Sequence, residues 1–179
     1  LEIAFIHPND IEFCVFKFFF DKRLRFMDPK DAALLNLLQN DASLTLERLA
    51  DAVSLSVPAV QRRIKRLRNS GVIKGNVIIV DPVAVDMSMT FVIIVELERD
   101  RSEHIESFRR KAIKEPLVQQ CYYVTGEGDF VIISIAKNME DFEAMTHRLL
   151  FEDSNVRGFK TSISMGKSYK TLYVPIEAS

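Results

Sequence analysis

Nineteen residues from Ser56 to Lys74, SVPAVQRRIKRLRNSGVIK, carry six cations and no acid, and within them Val60, Ile64 and Leu67 repeat at i, i+4 and i+7. This pairing constrains the fold more than any other feature of the chain. At about 100° per residue the three apolar side chains form one helical stripe that must be buried. Pro58, Arg62, Lys65 and Arg66 then point away from the stripe, with Ala59, Gln61 and Arg63 on its flanks. A helix of this kind needs neighbours that cover one side and leave the cationic side open.

The residues before it supply two such neighbours. Asp28 then Pro29 reads as an N-cap and first helical residue, because the carboxylate accepts a free backbone N–H and proline has none to orphan. Leu34, Leu35 and Leu38 make the apolar stripe of that first helix, and Asn40-Asp41-Ala42-Ser43 breaks it. Thr45 caps a second helix with Leu46, Leu49, Ala50 and Val53 on its buried face. After the turn Ser54-Leu55, Ser56 is placed to cap the cationic helix through the N–H of Ala59. Gly71 reads as the left-handed residue just past its end, and residues 72–80, VIKGNVIIV, read as a strand region turning near Gly75, a wing. Residues 28–75 carry 8 cations and 5 acids, whereas 76–179 carry 12 and 16, so a basic module precedes an acidic one.

Beyond a connector over 81–89 the hydrophobic period alternates between two and 3.6. Thr90 to Glu98 reads as strand, Ser102 to Lys114 as helix with Ile105, Phe108 and Ala112 inward, and Val118 to Thr125 as strand. Gly126-Glu127-Gly128-Asp129 is a turn, Phe130 to Ala136 a strand, Met139 to Phe151 a helix with Phe142, Met145 and Leu149 inward, and Val156 to Met165 a strand. The order βαββαβ is that of a ferredoxin-like sandwich, two helices on one face of an antiparallel sheet. Val92-Ile93-Ile94-Val95 is apolar on both sides, so the bare sheet face is expected to meet another subunit. The fold class is therefore α+β: a winged helix-turn-helix over 28–80, a linker over 81–89, and a ferredoxin-like domain over 90–179.

Residues 1–27 are expected to be an N-terminal extension. They are rich in phenylalanine but interrupted by charge, and Arg23-Leu24-Arg25-Phe26 lacks the small residues of a signal-cleavage site. Two readings stay open: a segment outside the functional core, or an arm that covers a partner subunit, since Phe18, Phe19 and Phe20 would be a liability if left exposed. Cys14 and Cys121 are too few for a disulfide framework, which implies free thiols and a reducing, cytoplasmic compartment. His7, His104 and His147 are scattered, so no metal site and no cofactor is expected. No apolar run reaches the ~18 residues of a membrane span.

Taken together, these motifs resemble the Lrp/AsnC, or feast/famine, family of transcription regulators over about residues 28–175. The resemblance rests on Asp31 to Leu38 (DAALLNLL), Leu49-Ala50 with Leu55-Ser56, Arg63-Ile64 with Arg66-Leu67, Gly71-Val72-Ile73, and Val124-Thr125-Gly126 with Asp129. It implies a DNA-binding winged helix-turn-helix followed by a domain that dimerises and senses an amino acid. Two positions depart from the family pattern: Ser54 stands where glycine is usual, and Arg68 where an acid is frequent.

Helix-turn-helix docking puts the early part of the second helix of the motif against base edges. Pro58, Ala59, Gln61 and Arg62 are thus expected at bases or groove walls, with Ser56 at the helix start, and Arg63, Lys65 and Arg66 at phosphates. Arg66→Ala is expected to weaken all duplexes alike. The alternative for a cationic helix face is simple solvation. For the effector, the glycines of Thr125-Gly126-Glu127-Gly128-Asp129 let backbone N–H groups converge on a carboxylate, with Asp129 for the ammonium. The alternative is an ordinary hairpin turn with a capping aspartate. The resemblance adds that this pocket, with Val124 at its edge, lies between subunits and takes Ser162, Ile163 and Ser164 from the last strand. Expected partners are double-stranded DNA, an amino-acid effector and a second copy, with assembly of dimers into octamers left open. Two other classes compete: a haem-pathway decarboxylase-like enzyme on the same fold, and an effector-sensing assembly protein without DNA binding. Dispersed histidines and the lack of a nucleophile-base pair weigh against the first, so the chain is expected not to be an enzyme. The six cations weigh against the second.

Overall fold

The computed structural model describes residues 27–99, 101–166, 174 and 176. The expected N-terminal extension lies, apart from Met27, outside the described residues. The chain divides into two compact units, residues up to 77 together with the C-terminal residues Val174 and Ile176, and residues from 78 onward through the sheet.

In the first unit, α1 spans Pro29–Asn40, α2 Leu46–Val53 and α3 Val57–Asn69. The caps form as the sequence requires at two of three starts. Asp28 accepts from the N–H groups of Lys30 at 2.8 Å and Asp31 at 3.3 Å, and Thr45 accepts from Arg48 at 3.4 Å. Ser56 is the N-cap residue of α3 by position, but its hydroxyl makes no cap bond. The N–H of Ala59 instead reaches the Ser56 carbonyl at 2.9 Å, because Pro58 already fixes the first turn. Ser54 takes the left-handed conformation at φ 53°, the position where glycine is usual, and its N–H closes the end of α2. Gly71 is left-handed at φ 73°, and the N–H of Val72 returns to the Leu67 carbonyl at 3.0 Å. Leu34, Leu49, Ala50, Val53, Val60 and Ile64 form the core of this unit. From α1, Asn36 donates to the Ile176 carbonyl at 2.9 Å, and Gln39 both donates to and accepts from the backbone of Val174.

The wing strand expected over 72–80 does not form among the described residues. A strand is stabilised by its ladder, and this stretch pairs with no neighbour among the described residues; Ile78 is 87% exposed.

In the second unit a short 3₁₀ turn, Pro82–Val85, leads into β1 (Met89–Leu97), α4 (Ser102–Lys114), β2 (Val118–Tyr123), β3 (Phe130–Ala136), α5 (Met139–Thr146) and β4 (Val156–Ile163). The last expected helix is shorter than its apolar period: from His147 to Phe151 the backbone widens into a π turn that still buries Leu149 and Leu150. All four strands are antiparallel in the order β2-β3-β1-β4. Phe91, Ile93 and Val95 of β1 and Phe130 and Ile132 of β3 are buried together with Phe108, Ala112, Phe142, Met145 and Leu149. The Phe91 and Phe142 rings stack with centroids 3.8 Å apart. The opposite face, with Val92, Ile94, Val131, Ile133 and Ile135, is only half-buried.

Candidate nucleic-acid interface and effector turn

On α3, Val60, Ile64 and Leu67 are buried, while Pro58, Gln61, Arg62, Lys65 and Arg66 are exposed and Ala59 and Arg63 are half-buried. The early turns of the helix therefore offer a proline, a small side chain, an amide and a guanidinium on one open surface. Two of the cations have partners on α1. Arg63 Nη1 donates to Asp31 Oδ1 at 2.8 Å and lies 3.0 Å from Asp28 Oδ1, and Arg66 Nη2 donates to Asp31 Oδ2. These acids raise the Arg63 guanidinium pKa further, the Asp31 bond first among the causes and partial desolvation opposing it. Asp28 is pushed up by desolvation, yet the Lys30 N–H and the Arg63 guanidinium together hold it below the usual carboxylate range. Lys30 Nζ donates to the Val53 carbonyl at 2.6 Å, so the first turn of α1 also holds the end of α2.

Sequence reasoning missed a shallow basin of about 400 Å³ just beyond α3, lined by Arg68, Ile73, Lys74, Gly75 and Asn76. Its one visible signal was Arg68 in place of an acid.

In the second unit the turn between β2 and β3 is built by close approach. Gly126 has φ 135°, which L side chains rarely adopt. A Cβ on Gly128 would sit 2.6 Å from Ile94 Cγ2 and 3.1 Å from the Val95 carbonyl oxygen. Asp129 N donates to the Val95 carbonyl at 2.8 Å, and Asp129 Oδ2 accepts from Leu97 N at 2.6 Å, where the β1–β4 register shifts. The aspartate thus satisfies the Leu97 N–H, which lies past the end of the β1–β3 pairing at Val95. Gly128→Ala is expected to cost about 1 to 3 kcal/mol by overpacking this turn, read from urea denaturation; an unchanged midpoint would contradict the close approach.

Within one chain the two halves of the expected effector site do not meet. Phe91 of β1 faces Ile163, whereas Val95 faces Phe130 beside Asp129. Four residues of strand, about 13 Å at 3.3 Å per residue, separate them. Ser162, Ile163 and Ser164 are exposed at one end of β1; Thr125, Gly126 and Glu127 are exposed at the other. At that second end the structure also holds a cavity of about 390 Å³ whose walls include Glu98, Arg99, His104, Ser107, Asp153 and Asn155, which no motif announced. Among the described residues no group of three or more His, Cys, Asp or Glu is placed to hold a metal, and no helix is long and apolar enough to cross a membrane. Burial pushes the Cys121 thiol pKa up, so it stays protonated and weakly nucleophilic near neutral pH.

A family model for the AsnC-type helix-turn-helix domain matches residues 27–68, and one for the Lrp/AsnC ligand binding domain matches residues 90–174. An uncharacterized HTH-type transcriptional regulator of Sinorhizobium fredii is 44% identical over 151 residues, 84% of this chain and 89% of that protein. The transcriptional regulator AzlB of Bacillus subtilis is 34% identical over 151 residues, 84% of this chain and 96% of its own. Among solved structures, an AsnC family transcriptional regulator from Agrobacterium tumefaciens superimposes with TM-score 0.78 at 26% identity, covering 83% of this chain and 97% of that one. A transcriptional regulator from Neisseria meningitidis, solved as an L-Met complex, gives TM-score 0.76 at 26% identity, covering 83% and 96%.

Proposed function

Because the chain belongs to the Lrp/AsnC family of DNA-binding transcription regulators, we propose that α3 reads operator sequence and that an amino acid bound by the second unit sets assembly or DNA affinity. The observation that carries this reading is the division of α3. Its seam of Val60, Ile64 and Leu67 is buried, while Gln61, Arg62 and Lys65 stand exposed on the other side. Arg62 is assigned to guanine O6 and N7, where two parallel donors match two acceptors. Pro58, Ala59 and Gln61 shape the contact with neighbouring bases, and Ser56 lies where the helix start approaches the backbone. Lys65, Arg63, Arg66 and, in the basin, Arg68 and Lys74 supply the phosphate side. Such a protein works where the chromosome is, in the cytoplasm.

The apolar outer sheet face, Val92 and Ile94 with Val131, Ile133 and Ile135, is assigned to a second copy, since a patch of this composition is unfavourable in water. A homodimer presents two α3 helices to half-sites about 34 Å apart, hence a roughly palindromic operator. Pairing two copies is also what brings Ser162, Ile163 and Ser164 of one chain toward Thr125–Asp129 of another. The carboxylate of the effector goes to the N–H groups around Gly126 and Gly128, with Val124 and Glu127 at the rim. Its ammonium goes to Asp129 Oδ1, Oδ2 being held by Leu97 N. Methionine is the first amino acid to try, given its presence in the Neisseria neighbour.

The test is a duplex titration with and without each amino acid. Asp129→Asn keeps an acceptor for Leu97 N but removes the charge. It is expected to keep the fold and DNA binding while reducing the effector-induced change in DNA affinity at least about tenfold, since a charge-assisted bond is worth about 1.5 to 3 kcal/mol. An unchanged response would sink the effector assignment and leave the DNA reading intact.

A further inference from the structure

The first turn of α1 faces α3 with a single deeply placed acid. Asp31 is 4% exposed, and its two carboxylate oxygens accept from two arginines one helical turn apart, Arg63 and Arg66. The side chain of Arg63 is 24% exposed and that of Arg66 59%. Among the described residues Arg62, Lys65 and Arg68 form no ion pair. The cations of α3 therefore fall into two groups, three open to solvent and two already facing a carboxylate. A buried carboxylate stripped of its partners is costly, so the two arginines do not leave it freely.

We propose that Asp31 is a positioning residue, an internal counter-charge that holds Arg63 and Arg66 back from phosphate and so sets how much duplex charge α3 neutralises. This rests on the DNA-binding reading above and revises one part of it. On sequence alone Arg66 counts as a full phosphate contact. In the structure its Nη2 already faces Asp31, which offsets part of its charge toward a phosphate. Counterion release makes the difference countable, because each phosphate neutralised adds about 0.9 to the slope of log K against log salt. Restraining two arginines lowers affinity for every duplex while leaving Arg62 free to discriminate between bases. Asp31 thus lowers the sequence-independent part of binding and its salt dependence, and leaves the ratio set by Arg62 untouched.

The experiment titrates the full chain with a short random-sequence duplex over a series of salt concentrations. Asp31→Asn, which keeps shape and one acceptor oxygen, is expected to bind several-fold more tightly at low salt with a slope steeper by about 0.9 to 1.8. Arg66→Gln is expected to change the slope by less than about 0.4 in the native background and by about 0.9 in the Asp31→Asn background. A cooperatively melting Asp31→Asn protein with an unchanged or shallower slope overturns the inference, as does a full loss of about 0.9 from Arg66→Gln alone. If Asp31→Asn does not fold, Arg66→Gln in the native background decides by the same two outcomes. A native chain that binds no duplex at any salt overturns the DNA reading, and this inference with it. Native binding together with an insensitive Asp31→Asn slope overturns the inference alone.

Discussion

Arg62→Ala leaves the protein folded and still attached to DNA, yet narrows the gap in affinity between operator and random duplex. Arg62 is exposed, forms no ion pair among the described residues, and lies two positions past the buried Val60, on the open side of α3. Nothing in the folding of the unit depends on it. A bidentate guanidinium contact to guanine is worth about 1 to 3 kcal/mol of discrimination, so the specificity ratio is expected to fall about 5- to 150-fold per half-site. Removing one cation also flattens the salt slope by about 0.9, equally for both duplexes. Competition binding with an operator and a scrambled duplex separates the two effects. A loss of affinity that is the same for both would move Arg62 to the phosphates.

Leu34→Ala produces the larger loss although it touches no cation. Leu34 is fully buried in α1, in the cluster that includes Leu49, Val53, Val60 and Ile64. Truncating a leucine in such a core costs about 2 to 5 kcal/mol. Small domains have about 5 to 15 kcal/mol in total. The first unit is therefore expected to lose most of its cooperative melting transition, and DNA binding with it, while every charge of α3 is retained. Unaltered duplex affinity in this variant would mean that a cationic segment suffices and that helix geometry is irrelevant. Together with Arg62→Ala it separates what holds the reading helix from what reads.

The local features of the fold were visible in the residues because they depend on near neighbours. Asp28-Pro29, Thr45 and Gly71 punctuate the helices where they do since capping involves residues two or three apart. That β1 is apolar on both sides was also visible, but which side is fully buried, that of Phe91, Ile93 and Val95, was not. What was hidden depends on distance along the chain. The bonds from Arg63 and Arg66 to Asp31 join residues 32 and 35 apart, and a cationic stripe carries no sign of which members are already paired. Asp129 looked like an ammonium ligand, and its bond to Leu97 N, 32 residues away, appears only once β1 and β3 are paired. The wing failed for the opposite reason. Val77, Ile78 and Ile79 have strand propensity, but a strand needs a partner, and none is present among the described residues. Likewise the apolar period from Met139 to Phe151 could not show that the backbone changes from α to π at His147.

The central claim is that α3 selects particular DNA sites and that a small molecule bound by the second unit changes the selection. Genome-wide DNA occupancy, measured with and without each amino acid, tests both halves together. The account predicts discrete sites with two related half-sites about 34 Å apart along the duplex, and a change in their occupancy when one amino acid is added. Uniform coverage that tracks only DNA amount, unchanged by every amino acid, would contradict it.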